Sequence, residues 1–162
     1  MSAYERLSAK RAFILADRLK VGPFDSPGSL LAAVEAAAVE IDGLPEAEVD
    51  RIISTDPERL ERCNRARWRY APVGLSQCRV YSRMGERAWA VGTVGLVARR
   101  FSSEATDADR IHRMIAFAKV YAERLPLILF RDGEGLRIND GNHRAIAMFL
   151  AGIRTAPAWV GE

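Results

Sequence analysis

The sequence contains few residues that could form cross-links or metal centres. Of its 162 residues, two are cysteines, Cys63 and Cys78, and two are histidines, His112 and His143. Two cysteines are too few for a disulfide framework, and they lack the C-x-x-C spacing typical of zinc sites. Four scattered ligands do not predict a closed zinc site without carboxylates, so we assign no metal ligands. Isolated, reduced cysteines favour a cytoplasmic location.

The chain also lacks a long hydrophobic run. Its most apolar stretch, LLAAVEAAAVEI, is interrupted by Glu35 and Glu40, and the N-terminus MSAYERLSAK has no apolar signal core. A membrane-spanning helix needs about 20 mainly apolar residues. We therefore predict no membrane partner and no export by a recognisable signal. With 49% hydrophobic residues, the chain can nevertheless bury a core as one ordered body.

Lysine is scarce, and most of the basic charge comes from arginine. The formal net charge of +3 is unevenly distributed. Residues 1–62 include 8 basic and 12 acidic side chains, whereas residues 63–162 include 16 basic and 9 acidic side chains. The C-terminal part is therefore the half that we expect to attract phosphate. The planar fork of arginine suits bidentate phosphate contacts. A GC-rich genome explains the excess of arginine over lysine equally well.

Local patterns predict an α+β fold with two parts. Amphipathic spacing and helix-start signals predict four helices, over residues 4–20, 29–42, 46–53 and 57–67. After Tyr70, β-branched and aromatic residues punctuated by glycine predict two or three strands in the segments CRVYSR, MGE and RAWAVGTVGLVARRF. We expect a helical N-terminal region, residues 1–69, that acts as a lid, a dimer interface or a partner surface. A small mixed-sheet domain is expected over residues 70–162.

The C-terminal third has the clearest local signals. A helix with one apolar stripe is predicted from Thr106 to Leu125. The strand LILF, the loop RDGEG and the strand LRIND predict a β-hairpin. At Asp140 and Gly141 the hydrophobic period changes from that of a strand to that of a helix, and Gly152 is predicted to end this helix. The segment TAPAWV is predicted to be the last strand.

The run NDGNHR occupies the predicted strand-to-helix turn and is the main site candidate. The first backbone N–H groups of a helix lack intrahelical partners, and an anion can bind them. Gly141 permits close approach to the backbone, and Asn142 and His143 add hydrogen-bond donors. Arg144 adds a positive fork, so the turn predicts a phosphate site. The alternative is an ordinary turn, in which Asp140 or Asn142 caps the helix and Arg144 lies on its solvent side.

From LILF to the last strand, this order of elements resembles the ParB/sulfiredoxin superfamily, whose members carry G-E-R-R, G-C-H-R or D-G-H-H-R at this turn. The resemblance covers about residues 125–160, extends back toward Tyr70 and does not include the N-terminal helices. It implies that the turn and the start of the next helix bind nucleotide phosphates. Gly141, His143 and Arg144 match the glycine, histidine and arginine of the sulfiredoxin turn, which implies phosphate contacts for all three.

Departures from the family patterns restrict the activity that the resemblance implies. Asn142 stands where sulfiredoxins have their reactive cysteine, and without that nucleophile sulfinic acid reduction is excluded. Asn142 and His143 also replace the glutamate and the first arginine of partition-type ParB proteins, which argues against CTP. Because the chain ends soon after Val160, without their helix-turn-helix region, we do not expect a complete partition protein. The D-G-H-H-R of the superfamily's kinases differs from DGNHR at one position.

The predicted function is therefore nucleotide binding, with hydrolysis of ATP or a related nucleotide or transfer of its phosphoryl group. Such an NTPase or phosphotransferase mainly positions phosphates and neutralises charge, usually with Mg²⁺. Asp140 and His143 are the candidate catalytic residues. The candidate phosphate-binding residues are Gly141, Asn142, His143 and Arg144. Whether the chain is an enzyme is left open by these patterns.

A non-catalytic, DNA-associated ParB-like module of plasmid or phage origin is the alternative function. Arg65, Arg67 and Arg69 alternate around Trp68 and Tyr70, a pattern that can pair with phosphates and stack on bases. The same pattern fits a polar helix end with Trp68 as a core anchor. The N-terminal helices carry net negative charge, which argues against direct DNA contact there and fits a lid, a homodimer interface or a partner surface.

Overall fold

The N-terminal third forms four α-helices in the computed structural model, which describes residues 7–20, 24–80, 92–101 and 108–162. The helices are α1 (Ala9–Leu19), α2 (Pro27–Asp42), α3 (Glu46–Ile53) and α4 (Pro57–Arg65). Ser8, Ser26 and Asp56 each accept a hydrogen bond from the backbone N–H three residues further on. These caps satisfy donors that the first helical turn leaves without partners. The predicted helical N-terminal region is confirmed, although α2 begins at Pro27 rather than Ser29.

A mixed sheet of four strands follows in the described ranges. The strands are β1 (Trp68–Gly74), β2 (Leu127–Asp132), β3 (Gly135–Asp140) and β4 (Thr155–Gly161). Their order across the sheet is β1-β4-β2-β3. Strand β4 is antiparallel to β1 and parallel to β2, whereas β2 and β3 form an antiparallel hairpin. The predicted α+β class, the hairpin and the last strand are confirmed.

Within the described ranges, four further helices connect and cover the strands. They are α5 (Val94–Arg100), α6 (Ala108–Ile115), α7 (Ala118–Arg124) and α8 (Asn142–Leu150), and a short 3-10 helix, Leu75–Gln77, follows β1. Helix α8 connects β3 to β4 and is followed by Gly152, whose φ of +87° ends the helix as predicted. Of the helices within the described residues, none has both the length and the apolar character needed to cross a membrane.

The sheet separates two hydrophobic clusters because side chains alternate along each strand. In β2, Leu127 and Leu129 belong to the cluster that includes α8, whereas Ile128 belongs to the cluster of the N-terminal helices. Trp159 of β4 packs against this second cluster. The N-terminal helices therefore pack directly on one face of the sheet. The predicted boundary between residues 69 and 70 falls within β1.

The segment VGLVARR is helical, and its prediction as part of a strand is wrong. Helix α5 begins after Thr93, whose hydroxyl accepts a hydrogen bond from the Leu96 N–H at 3.3 Å. Val94 and Val97 are fully buried, three residues apart on one helical face. Burial of that face outweighs the strand preference of β-branched residues, which depends strongly on context. Residues 81–91, with much of the other predicted strand sequence, lie outside the described part of the chain.

The long helix predicted up to Leu125 is interrupted by a turn at residues 116–117. The interruption separates buried residues that the prediction put on one stripe. Ile111 joins the cluster that includes α8, whereas Leu125 joins the cluster of the N-terminal helices. A straight helix would direct its apolar stripe toward one side only. The predicted start at Thr106 lies outside the described residues.

Candidate functional site

The run NDGNHR forms the predicted turn from strand β3 into helix α8. Gly141 is the N-terminal cap of α8 and adopts the left-handed conformation, with φ of +102°. A Cβ atom at this position would lie 2.5 Å from Leu127 Cδ2 and 3.0 Å from Arg144 Nη2. Both the backbone conformation and the packing therefore require glycine at position 141.

Asp140 ends strand β3 as a buried carboxylate with two cationic partners. Its Oδ1 accepts a hydrogen bond from Lys20 Nζ at 2.9 Å, and its Oδ2 accepts one from Arg144 Nη2 at 2.9 Å. Burial opposes ionisation, but the attraction of Arg144 and Lys20 outweighs it and lowers the pKa of Asp140 below that of an ordinary aspartate. A carboxylate that keeps its charge so firmly is a weak base. The structure favours Asp140 as an anchor for two cations over the predicted catalytic role.

Arg144 is buried in the wall of the site and is only 8% exposed. Its Nη1 donates a hydrogen bond to the carbonyl oxygen of Leu125 at 2.7 Å, and its Nη2 donates to Asp140. The alternative interpretation, with Arg144 on the solvent side of α8, is therefore wrong. Because two guanidinium nitrogens are bonded within the protein, less of the fork is available to a phosphate than the sequence suggests.

A cleft of about 800 Å³ opens in front of the turn, between the N-terminal helices and helices α6 and α7. Its cationic side chains are Lys20, Arg59, Arg62, Arg110, Arg113 and Arg144. Its apolar side chains include Leu19, Phe24, Met114, Phe117, Tyr121 and Leu125. A cleft of this size and mixed character is typical of sites for small organic ligands.

All five candidate site residues from the sequence line this cleft, namely Asp140, Gly141, Asn142, His143 and Arg144. Asn142 and His143 are half-buried and belong to the first turn of α8. The structure thus brings the candidates together on one side of the cleft. Their roles in binding phosphate or in catalysis remain predictions.

Three cations of the cleft belong to a balanced ionic network. The network consists of three cations and three carboxylates: Lys20, Arg59, Arg144, Asp17, Asp56 and Asp140. Lys20 Nζ lies 2.9 Å from Asp17 Oδ1 and 2.9 Å from Asp140 Oδ1. Arg59 lies 2.9 Å from Asp17 and 3.8 Å from Asp56. The network joins α1 and α4 to the turn and adds no net charge to the site.

The other three cations of the cleft lie outside this network. Arg62 of α4 is paired with the exposed carboxylate of Glu58 at 3.8 Å. Arg110 and Arg113 of α6 are exposed, and no residue in the described ranges forms an ion pair with either. A surplus of cations on the walls of a cleft concentrates anions inside it.

Five of the six cleft cations are not identified by the sequence patterns. Arg59 and Arg62 are three residues apart, as are Arg110 and Arg113, and this spacing places each pair on one face of a helix. That spacing is the only sequence signal for these residues. It does not indicate that the two faces meet at the DGNHR turn, which depends on the complete fold.

The described residues do not offer Mg²⁺ a set of available carboxylates. Of the carboxylates that the structure describes, Asp56 and Asp140 line the cleft. Asp140 is bonded to Lys20 and Arg144, and Asp56 caps α4 by accepting a hydrogen bond from the Arg59 N–H. No cluster of three His, Cys, Asp or Glu side chains suited to a metal occurs among the described residues. Within the described ranges, the two carboxylates of the cleft are thus bonded inside the protein.

The basic and aromatic cluster around Trp68 does not line the cleft. The Trp68 ring packs against Phe130, with centroids 5.1 Å apart, and its Nε1 donates a hydrogen bond to the Cys63 carbonyl oxygen at 2.9 Å. Arg65 and Arg69 both have glutamate partners. These contacts fit the core-anchor interpretation of Trp68. Binding of DNA by this cluster remains a prediction.

Comparison of the chain with protein-family models, with curated proteins and with solved structures finds no match. The resemblance to the ParB/sulfiredoxin superfamily, which was based on the residues of the turn and the elements around it, therefore remains a prediction. The fold and the site define an α+β protein with a cationic cleft at a strand-to-helix turn.

The buried carboxylate of Asp140 predicts a specific acid response. Because its pKa is lower in the folded chain than in the unfolded chain, Asp140 stabilises the fold above the unfolded value of about 3.9. That contribution is lost as the pH falls through the lower pKa that Asp140 has in the folded chain. We expect urea unfolding to show that the wild type has a higher free energy of unfolding than Asp140→Asn at neutral pH, and that this difference becomes smaller below about pH 4. A difference that stays constant down to pH 2 would contradict this role.

Proposed function

We propose that this protein binds a nucleotide through its phosphates in the cleft at the DGNHR turn. One observation carries the proposal: among the residues that the structure describes, the turn forms one side of a cleft whose other walls hold five more cationic side chains, against two carboxylates. Phosphates form their strongest hydrogen bonds with charged donors of this kind. The apolar and aromatic side chains of the same cleft suit the uncharged part of a nucleotide.

Hydrolysis of ATP, or transfer of its phosphoryl group, is the reaction that we propose for this site. Phosphoryl transfer requires mainly positioning and charge neutralisation, which arginines can supply. Of the two candidate catalytic residues, Asp140 is poorly suited to accept a proton near neutral pH, because its pKa is lowered. His143 lines the cleft at the first turn of α8.

Calorimetric titration with ATP, CTP and ADP, each with and without Mg²⁺, tests the proposed binding. We expect saturable binding of at least one nucleotide, with an affinity that falls as salt rises because the contacts are ionic. Adenosine is the control, since it lacks the phosphates and should bind far more weakly. If none of the three nucleotides binds at millimolar concentration, the proposal is contradicted.

A further inference from the structure

We infer that the ligand of the cleft is a chain of linked phosphates held between the N-terminal helices and α6, with Arg62 on one wall and Arg110 and Arg113 on the other. The inference rests on the proposed function. It specifies further that the ligand carries several linked anionic groups, and it names the arginines that contact them. It also makes the N-terminal helical region part of the binding site.

The distribution of ion pairs decides which cations are available to a ligand. Lys20, Arg59 and Arg144 share three carboxylates within the protein, and a ligand that took one of them would leave a carboxylate without its partner. For the buried Asp140, such a loss is costly. The ligand therefore gains most from cations outside the balanced network.

Arg62 is held in position for such a contact. Its Nη1 donates a hydrogen bond to Asn139 Oδ1 at 3.1 Å, and its guanidinium carbon lies 5.8 Å from the centre of the Phe130 ring. Asn139 is the residue before Asp140, so Arg62 is tied directly to the strand that leads into the turn. The bond to Asn139 uses Nη1, and Nη2 lies 3.8 Å from the exposed carboxylate of Glu58, a solvated pair that holds the fork only weakly. Because the side chain is already oriented, less conformational entropy is lost when it binds an anion.

Arg110 and Arg113 line the same cleft from α6. They are one helical turn apart in α6, line the cleft, and have no carboxylate partner among the described residues. Surplus charge on two walls matches a ligand with several linked anionic groups better than a single compact anion. A polyphosphate can neutralise both walls at once, whereas one orthophosphate ion satisfies a smaller part of the surplus.

A consequence for the N-terminal helices follows from this arrangement. Helix α4 contributes Arg62 to the cleft and packs in the cluster that also contains Ile128 of the sheet. A ligand that bridges α4 and α6 should stabilise the contact between the helical region and the sheet, because it binds only when both walls are in place. We therefore expect slower hydrogen exchange in α4 when the ligand is bound.

The test compares ATP, tripolyphosphate and orthophosphate as ligands of the wild type, Arg62→Gln and Arg113→Gln by calorimetry. We expect the wild type to bind tripolyphosphate about tenfold or more tightly than orthophosphate, and each substitution to weaken ATP and tripolyphosphate binding by about tenfold or more. Arg65→Gln on α4 and Lys119→Gln on α7 remove one charge outside the cleft and should change these affinities less than about twofold. Arg62→Lys keeps the charge and should lose less affinity than Arg62→Gln.

Each contrary result has its own meaning. If ATP binds the wild type and Arg62→Gln equally well, the N-terminal wall is not part of the site and the inference is overturned. The same holds if orthophosphate binds as tightly as tripolyphosphate, or if ATP binds and tripolyphosphate does not. If no nucleotide binds the wild type, the proposed function itself fails. Thermal unfolding tests whether each variant is folded. If Arg62→Gln does not fold, the ATP affinities of Arg62→Lys and of the exposed variant Arg113→Gln replace it. Wild-type affinity in both variants overturns the inference.

Discussion

Gly141→Ala is expected to lower the free energy of unfolding by about 3 kcal/mol, of which about 1–2 kcal/mol is the cost of a left-handed conformation for a residue with a Cβ atom. The φ of +102° at this position is disfavoured for any such residue. The new methyl group would also lie 2.5 Å from Leu127 Cδ2, in a fully buried part of the core. Overpacking of this kind typically costs about 1–3 kcal/mol. Urea unfolding at neutral pH measures the sum.

Gly135→Ala is the matched control for the Gly141 substitution. Gly135 has a φ of +124°, also disfavoured for other residues, but a Cβ atom there would meet nothing within 4 Å. Its substitution should therefore cost the conformational part alone, about 1–2 kcal/mol. If the two variants lose the same stability, the close packing of the turn against Leu127 has no energetic effect.

The hairpin and the strand-to-helix turn could be predicted because their signals are local. The DG-containing loop lies between two apolar strands, and the hydrophobic period changes at the residue where β3 gives way to α8. Both features are specified within about ten residues of the chain, which is the range over which sequence patterns are informative. Prediction of α5 failed because VGLVARR suits a strand or a helix, and the difference lies in the burial of Val94 and Val97.

The ionic network could not be predicted because its members are far apart in the chain. Lys20 and Asp140 are separated by 120 residues and meet through the packing of α1 near the turn. The pair of Asp140 and Arg144 is different, since the two residues are four apart and such residues are neighbours at a helix start. That spacing indicates a structural role for Arg144, in addition to the phosphate-binding role that the DGNHR motif predicts.

Arg144→Ala is expected to destabilise the fold by about 3–5 kcal/mol, because removal of one partner from a buried ion pair leaves the other charge uncompensated. Asp140 retains Lys20, which is half exposed, and loses the partner that shares its burial. The carbonyl oxygen of Leu125 loses a hydrogen bond at the same time. Urea unfolding of the variant gives the loss. In the double variant Asp140→Asn with Arg144→Ala, the loss in free energy of unfolding should be smaller than the sum of the two single losses, by about 1 kcal/mol or more.

The two roles of Arg144, structural and phosphate-binding, are separated by measuring stability and affinity in the same variant. If Arg144 mainly neutralises Asp140, the folded Arg144→Ala protein loses stability and still binds ATP through Arg62, Arg110 and Arg113. If Arg144 is mainly a phosphate ligand, its removal weakens ATP binding by about tenfold or more while unfolding is little changed. Burial of the side chain and its bonds to Leu125 and Asp140 favour the first outcome. In that case the arginine that completes the DGNHR motif shapes the turn, and the arginines of α4 and α6 contact the ligand.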